Sequence, residues 1–134
     1  MIYAVIDTNV FVSAFYTANP NSATSKIVDK LAHSKFTLLY NEEILAEYKD
    51  VLSREHFHIS EGRRNTLFEF IRKNGVLADR TRFNDLFIDE SDRVFYEVSL
   101  SHEDSFLVTG NLKHYPVTPQ VVTPAQMIEI LEKT

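Results

Sequence analysis

The sequence predicts an α/β fold built on a central parallel sheet of four to five strands, and three observations carry that expectation. The chain opens on a five-residue apolar run, Ile2-Tyr3-Ala4-Val5-Ile6, that stops abruptly at Asp7. Apolar on both faces and β-branched at Val5 and Ile6, it reads as a buried strand of a parallel sheet. Comparable short runs recur at residues 36–40 and 105–109, and the segments between them carry apolar residues at helical spacing. Strands interleaved with helices call for a sheet covered on both faces and joined by right-handed crossovers, a three-layer sandwich.

The elements follow in order. After the first strand, residues 9–15 can start a helix, with Thr8 or Asn9 available as its cap. Residues 18–22, Ala-Asn-Pro-Asn-Ser, form a loop by composition, and residues 25–33 carry Ile27, Val28 and Leu31 on one helical face. The second strand spans 36–40. Asn41 then caps an amphipathic helix bearing Ile44, Leu45, Tyr48, Val51 and Leu52. Another helix begins near Ser60, with Leu67, Phe68, Phe70 and Ile71 as its apolar side and Gly75 as its stop signal. Residues 76–78 read as a short edge strand, 91–101 as a helix, 105–109 as a buried strand closed by Gly110, and Val121-Val122 as a last short strand. Thr123-Pro124-Ala125-Gln126 opens the final helix with a capping box and a proline at its first position.

The 134 residues show no repeat, no low-complexity tract and no boundary, so residues 1–134 are expected to form a single domain. The apolar share of 44% and ten Phe suit a packed core rather than a disordered chain. There is no cysteine, hence neither disulfide framework nor thiolate metal site. The opening apolar run lacks a basic leader, and no stretch approaches the roughly 18 apolar residues of a membrane span, so a cytoplasmic protein without membrane association is expected. A net charge of −5 argues against a simple nucleic-acid binder, whose affinity comes from Lys and Arg on phosphates. Acids clustered around cations would reverse that argument, because a bound metal inverts the local field.

Asp7 is the first candidate for chemistry, because ligands of open α/β sheets bind outside the carboxyl ends of strands near the point where strand order reverses. Asn111 follows the strand at 105–109, and if the two strands are neighbours these side chains approach each other. Glu47 lies beside Val51 on the border of an apolar stripe, whereas Glu42 and Asp50 point away; a half-desolvated carboxylate needs a partner. Asp92 opens its helix, with Asp89 and Glu90 just before it. Each residue alone also has a plain structural reading. Asp7, Asp89 and Asp92 suit helix caps, Glu47 a solvated flank, and Asn111 turn chemistry after Gly110. The five His show no metal-like spacing: His56 and His58 diverge on a helix, and His102 and His114 lie in different segments.

Together the motifs resemble those of PIN-domain ribonucleases. The resemblance rests on Ile6-Asp7-Thr8-Asn9-Val10-Phe11-Val12, then Glu47 within Ile44-Leu45-Ala46-Glu47-Tyr48, then Asp89-Glu90-Ser91-Asp92, then Leu107-Val108-Thr109-Gly110-Asn111. Four motifs in the same order and spacing make it far more specific than the opening Asp-Thr-Asn alone. The stretches from Asp92 to Glu97 and from Thr109 to Pro116 look like a subgroup of single-domain prokaryotic members described as toxin components of toxin–antitoxin pairs. The resemblance implies strand order 3-2-1-4-5 and metal-dependent endonucleolytic cleavage of RNA. It places metal-binding acids at Asp7, Glu47 and Asp92, and a fourth catalytic position, commonly Asp, at Asn111. Asn9 and Thr109 match supporting residues, with Asp89 as an outer substitute ligand. It further implies an RNA substrate, a cognate antitoxin and, in many members, a homodimer.

The residue types suit that chemistry. Mg²⁺ or Mn²⁺ is a hard cation that prefers carboxylate and water oxygens, and such ions activate water for attack on phosphorus without a protein nucleophile. The amide at Asn111 contributes no charge, so one firmly held ion is expected, with a second arriving with substrate. Lys113, His114 and Arg93 lie in or beside the motifs and are candidates for phosphate contacts. Among rivals, a haloacid-dehalogenase-type phosphatase needs a second acid where Asn9 stands, and dinucleotide binding lacks its glycine-rich turn. The rival that survives is a PIN-like module that binds RNA or a protein partner with little or no cutting, a reading Asn111 favours.

Overall fold

Alternating apolar runs and amphipathic segments fold, in the computed structural model, into a five-stranded parallel sheet clothed by helices. The structure describes residues 1–17 and 19–134, so the expected loop at 18–22 is seen from Asn19 onward and Ala18 lies outside the described residues. Strands β1 (Tyr3–Ile6), β2 (Thr37–Tyr40), β3 (Val76–Leu77), β4 (Ser105–Val108) and β5 (Val121–Val122) are ordered 3-2-1-4-5 and all pair in parallel. The helices are α1 (Thr8–Tyr16), α2 (Ala23–Ala32), α3 (Glu42–Leu52), α4 (Glu61–Asn74), α5 (Arg93–Ser99) and α6 (Pro124–Glu132). Ala4, Val5, Ile6, Leu39, Leu107 and Val108 are fully buried, as the double-faced apolar runs required. Helix α5 crosses β1, β2 and β4, α4 lies against β2 and α3, and α2 bridges α1 and α6. The chain starts at the centre of the sheet, builds outward through β2 and β3, and then returns to lay β4 on the other side of β1. That reversal makes the carboxyl ends of β1 and β4 the natural place for a ligand.

Most helix starts are secured locally. The Ser25 N–H donates to Ser22 Oγ at 3.2 Å, the Ile44 N–H to Asn41 Oδ1 at 2.8 Å, and the Arg63 N–H to Ser60 Oγ at 3.2 Å. Thr123 and Gln126 form the reciprocal capping box of α6. Helices α1 and α5 are different. Asp7 and Asp92 occupy their N-cap positions, yet neither side chain accepts a capping hydrogen bond. The helix expected over 91–101 is also shorter and later. Asp89 takes the Ser91 N–H at 3.0 Å and closes a 3₁₀ turn, Glu90–Asp92, so the α-helical part begins only at Arg93.

Gly75 ends α4, but not through the left-handed conformation its position suggests. Its φ is −75°, and what excludes a side chain is crowding: a Cβ there would lie 2.6 Å from the Ile71 carbonyl oxygen and 3.0 Å from the Tyr40 ring. Gly110 has open space in the same sense. Gly75→Ala is therefore expected to destabilise the chain by about 1–3 kcal/mol. Gly110→Ala should stay within about 0.5 kcal/mol of the parent. Paired urea denaturation curves check both.

Candidate metal-binding and nuclease site

Register between β1 and β4 builds the floor of the site. Ile6 is paired with Val108, and the Asp7 N–H continues the ladder by donating to the Val108 carbonyl at 2.9 Å. Asp7 therefore stands beside Thr109, one step past the last paired residues of both strands. Thr109 Oγ1 donates to Asp7 Oδ2 at 2.8 Å, and the Tyr115 hydroxyl donates to the same oxygen at 3.2 Å. Both donors are buried, and Oδ1 takes no hydrogen bond among the described residues. The carboxylate expected either to cap α1 or to serve chemistry has its capping oxygen held elsewhere.

The neighbouring strands that would bring Asn111 toward Asp7 are in place, and no hydrogen bond joins the two side chains among the described residues. Two residues beyond the register partner, the chain has left the strand, and the Asn111 N–H donates to Thr109 Oγ1 at 3.0 Å. Its side chain makes no capping bond to the 3₁₀ turn Leu112–His114 that follows. Asn9, matched to a residue supporting the first acid, is exposed on α1 and makes no side-chain hydrogen bond among the described residues. Thr109 and Tyr115 supply the hydrogen bonds that Asp7 accepts. The resemblance points to Thr109 and gives Tyr115 no role.

Glu47 is brought in by its neighbour. Tyr48 is fully buried, packs its ring edge-on against Phe11 (centroids 5.0 Å apart), and donates its hydroxyl to the Ile6 carbonyl. That bond ties α3 to the end of β1 one residue before Asp7. Glu47, half-buried beside it, accepts a hydrogen bond from the Thr8 hydroxyl through Oε2. Thr8 drew attention from sequence only as a cap; a hydroxyl directly after a strand-end acid was the available signal.

Asp92 completes the set from the start of α5, with its side chain only 16% exposed. His114 Nδ1 is 3.3 Å from Asp92 Oδ2, within ion-pair reach, but it is misaligned for a hydrogen bond, and this buried oxygen has no hydrogen-bond partner. Asp89 is exposed and accepts from both the N–H and the hydroxyl of Ser91, which hold its carboxyl below its usual range. It behaves as a local cap at the rim. Its charge is nevertheless felt by Glu47 and Asp92.

The charge of Asp7 acts on both Glu47 and Asp92. Burial pushes the Glu47 carboxyl up, with the Asp7 and Asp89 charges adding to it and Thr8 opposing. Asp92 is raised to about 6, first by burial and then by the charges of Asp7 and Asp89, against a smaller lowering by His114. Tyr115 is pushed up by burial and by Asp7, so its hydroxyl remains a donor. Among the described residues, no three His, Asp or Glu side chains close around a point as a ready-made metal cage. The donor chemistry still fits a hard divalent ion. Asp7 Oδ1 and the second Glu47 oxygen are uncommitted, Asp92 Oδ2 is buried without a hydrogen bond, and Mg²⁺ usually keeps several waters while using one or two carboxylates.

Of the three candidate phosphate contacts, Arg93 is spent on structure. Its guanidinium donates to the carbonyls of Phe83 (2.5 Å) and Asp85 (2.8 Å), pairs with Glu90 and lies over the Phe87 ring. It thereby pins the irregular segment 79–89 along one side of the site. Buried Glu97 pins the same segment: it accepts from the Phe83 N–H at 2.9 Å and pairs with Arg80 at 2.7 Å. Burial pushes the Glu97 carboxyl up, but these donors hold it below its usual range. Lys113 is exposed, and His114 faces Asp92.

Residues 3–113 match the PIN domain family, and the chain belongs to it. This is a family of nucleases that act on RNA, typically with divalent metal ions. The chain is also similar to an uncharacterized protein of Methanocaldococcus jannaschii. The two are 29% identical over 148 aligned residues, covering 98% of this chain and 93% of that one. No helix among the described residues is long and apolar enough to cross a membrane.

The raised Asp92 carboxyl has a consequence for stability. It holds its proton more tightly folded, near 6, than at its ordinary value of 3.8. The native state is thus favoured as pH falls toward 4, and that contribution is lost as pH rises through about 6. Asp92→Asn should therefore stabilise the metal-free protein by on the order of 1 kcal/mol at neutral pH, after allowance for solvent screening. The gain should vanish near pH 4. Thermal melts of both proteins across this range, in chelator, are the check; a variant no more stable than the parent at neutral pH would contradict the account.

Proposed function

We propose that the chain is a Mg²⁺- or Mn²⁺-dependent endoribonuclease whose metal-binding acids are Asp7, Glu47 and Asp92, with Asn111 at the fourth position. The observation that carries this reading is the buried, unbonded Oδ2 of Asp92 within the field of Asp7 and Asp89, in a cluster that also holds Glu47. Such an arrangement destabilises the isolated protein and is relieved by a cation. When bound, a divalent ion supplies Lewis acidity toward phosphoryl oxygen and strengthens water as a nucleophile. The rest is done by the chain. Thr109 and Tyr115 hold one oxygen of Asp7, which orients the other toward the cluster. Thr8 does the same for Glu47, and Tyr48 keeps α3 in place behind it. Asp89 at the rim suits an outer ligand, and Lys113 and His114 suit contacts to phosphates beside the acids. The uncharged amide at the fourth position supports one firmly held ion, a second arriving with the RNA.

Biologically, the similarity of the stretches from Asp92 to Glu97 and from Thr109 to Pro116 to toxin members of the family supports a toxin role in the cytoplasm, restrained by a cognate antitoxin protein. A homodimer is part of the same reading.

Incubation of the pure chain with labelled RNA should give internal cleavage with Mg²⁺ or Mn²⁺ and none with excess chelator. Asp7→Asn and Asp92→Asn should abolish cleavage while remaining folded. Thr109→Val and Tyr115→Phe, which keep the acid but remove its donors, should lower the rate by about 10- to 100-fold. Cleavage that survives in either aspartate variant would refute the assignment. Independently of activity, Mn²⁺ at about 100 times its dissociation constant should stabilise the parent by about 2.7 kcal/mol. The same melts with Asp92→Asn should show most of that stabilisation gone.

A further inference from the structure

We infer that the groove between the 79–89 segment and the turn after β4 receives one unpaired nucleobase of the RNA whose phosphodiester lies at the acidic cluster. This rests on the nuclease reading above and deepens it: the groove of Phe83, Leu86, Phe87 and Ile88 is the subsite for the base next to the cut.

The groove has a volume of about 320 Å³, at the small end of the roughly 300–1,000 Å³ of small-molecule sites, which suits one planar group rather than a helix. Phe83 and Phe87 line it, and Leu86 and Ile88 stand beside them 94% and 78% exposed. Large apolar side chains held in water by a pinned segment are poised for an apolar face to cover them. The segment is pinned: Arg93 bonds the carbonyls of Phe83 and Asp85, and Glu97 bonds the Phe83 N–H. The groove is thus formed before any ligand arrives.

Its position ties it to the site. Tyr115 and His114 line the groove, and the same two residues touch the acids, Tyr115 at Asp7 and His114 at Asp92. A nucleotide flanking a phosphate at those acids is carried onto this wall. Lys113, also lining it, is placed for the connecting phosphate, while Asp85 is an acceptor for an exocyclic amino group. The net charge of −5 works against binding driven by phosphates. With little long-range attraction for phosphates, affinity has to come from contact with base faces, which is worth about fivefold to a hundredfold per base. A base inside a duplex is paired and stacked and cannot enter, whereas an unpaired base can splay out onto protein side chains.

The test is binding of the full chain, in chelator to prevent cutting, to a fluorescent single-stranded RNA oligonucleotide and to the same sequence annealed as a duplex. Leu86→Ser/Ile88→Ser, whose side chains are too exposed to matter for folding, should weaken single-strand binding about tenfold. A walk of single abasic sites should reveal one position whose loss costs the parent similarly and the double variant little. The inference is overturned if the parent does not bind the single strand, if it binds the duplex equally well, or if the double variant binds unchanged. It is also overturned if sedimentation shows a parent dimer that the double variant dissolves, since the face would then belong to a second copy. Failure of the nuclease reading looks different: groove-dependent binding persists, but no RNA is cut with Mg²⁺ or Mn²⁺.

Discussion

The pairing of β1 with β4 governs everything around the acidic cluster. A parallel ladder that ends at Ile6 and Val108, extended by one bond from the Asp7 N–H, leaves Asp7 and Thr109 side by side at the sheet's edge. A slip of one residue would send Asp7 to the opposite face, because side chains alternate along a strand. The register is held by a wholly apolar interior: Val5, Ile6, Leu107 and Val108 are all fully buried, and no displaced arrangement would keep them so.

On that floor the molecule sets charges against one another. Burial and like charge both oppose ionisation of Glu47 and Asp92, and the protein supplies only His114, misaligned, against Asp92. Several acids elsewhere are matched. Glu97 has Arg80 and a backbone N–H, Glu90 has Arg93, Glu42 has Arg72. Leaving a buried carboxylate oxygen unbonded is costly, and it persists because a large apolar core supports it. Function is the usual reason for such stored cost.

A second support comes from hydroxyl groups. Thr8, Tyr48, Thr109 and Tyr115 each donate to an atom at or next to the acids, and each is buried. They fix one oxygen of Asp7 and one of Glu47 and leave the other uncommitted. On the flank, Arg93 and Glu97 hold the irregular 79–89 segment through its backbone, so the wall of the site is shaped by side-chain bonds to that backbone rather than by regular structure.

The sequence by itself determined the α/β class, a sheet of four to five strands, and most helix limits, with caps at Asn41 and Thr123. Those signals are local: apolar period and a polar side chain one turn from its N–H act within a few residues. It also singled out the acids, because an ionisable group at a strand end or beside an apolar stripe is conspicuous. What it left open is whether Asp7, Asp89 and Asp92 are caps, since the cap signature is the same for all three. Only the tertiary structure decided this: Asp89 caps, while Asp7 and Asp92 occupy cap positions with their carboxylates engaged elsewhere or unbonded. The same holds for Tyr115 as the second donor to Asp7. The physical reason is that a hydrogen-bond partner more than a hundred residues away is chosen by strand register and packing, and no local pattern encodes it.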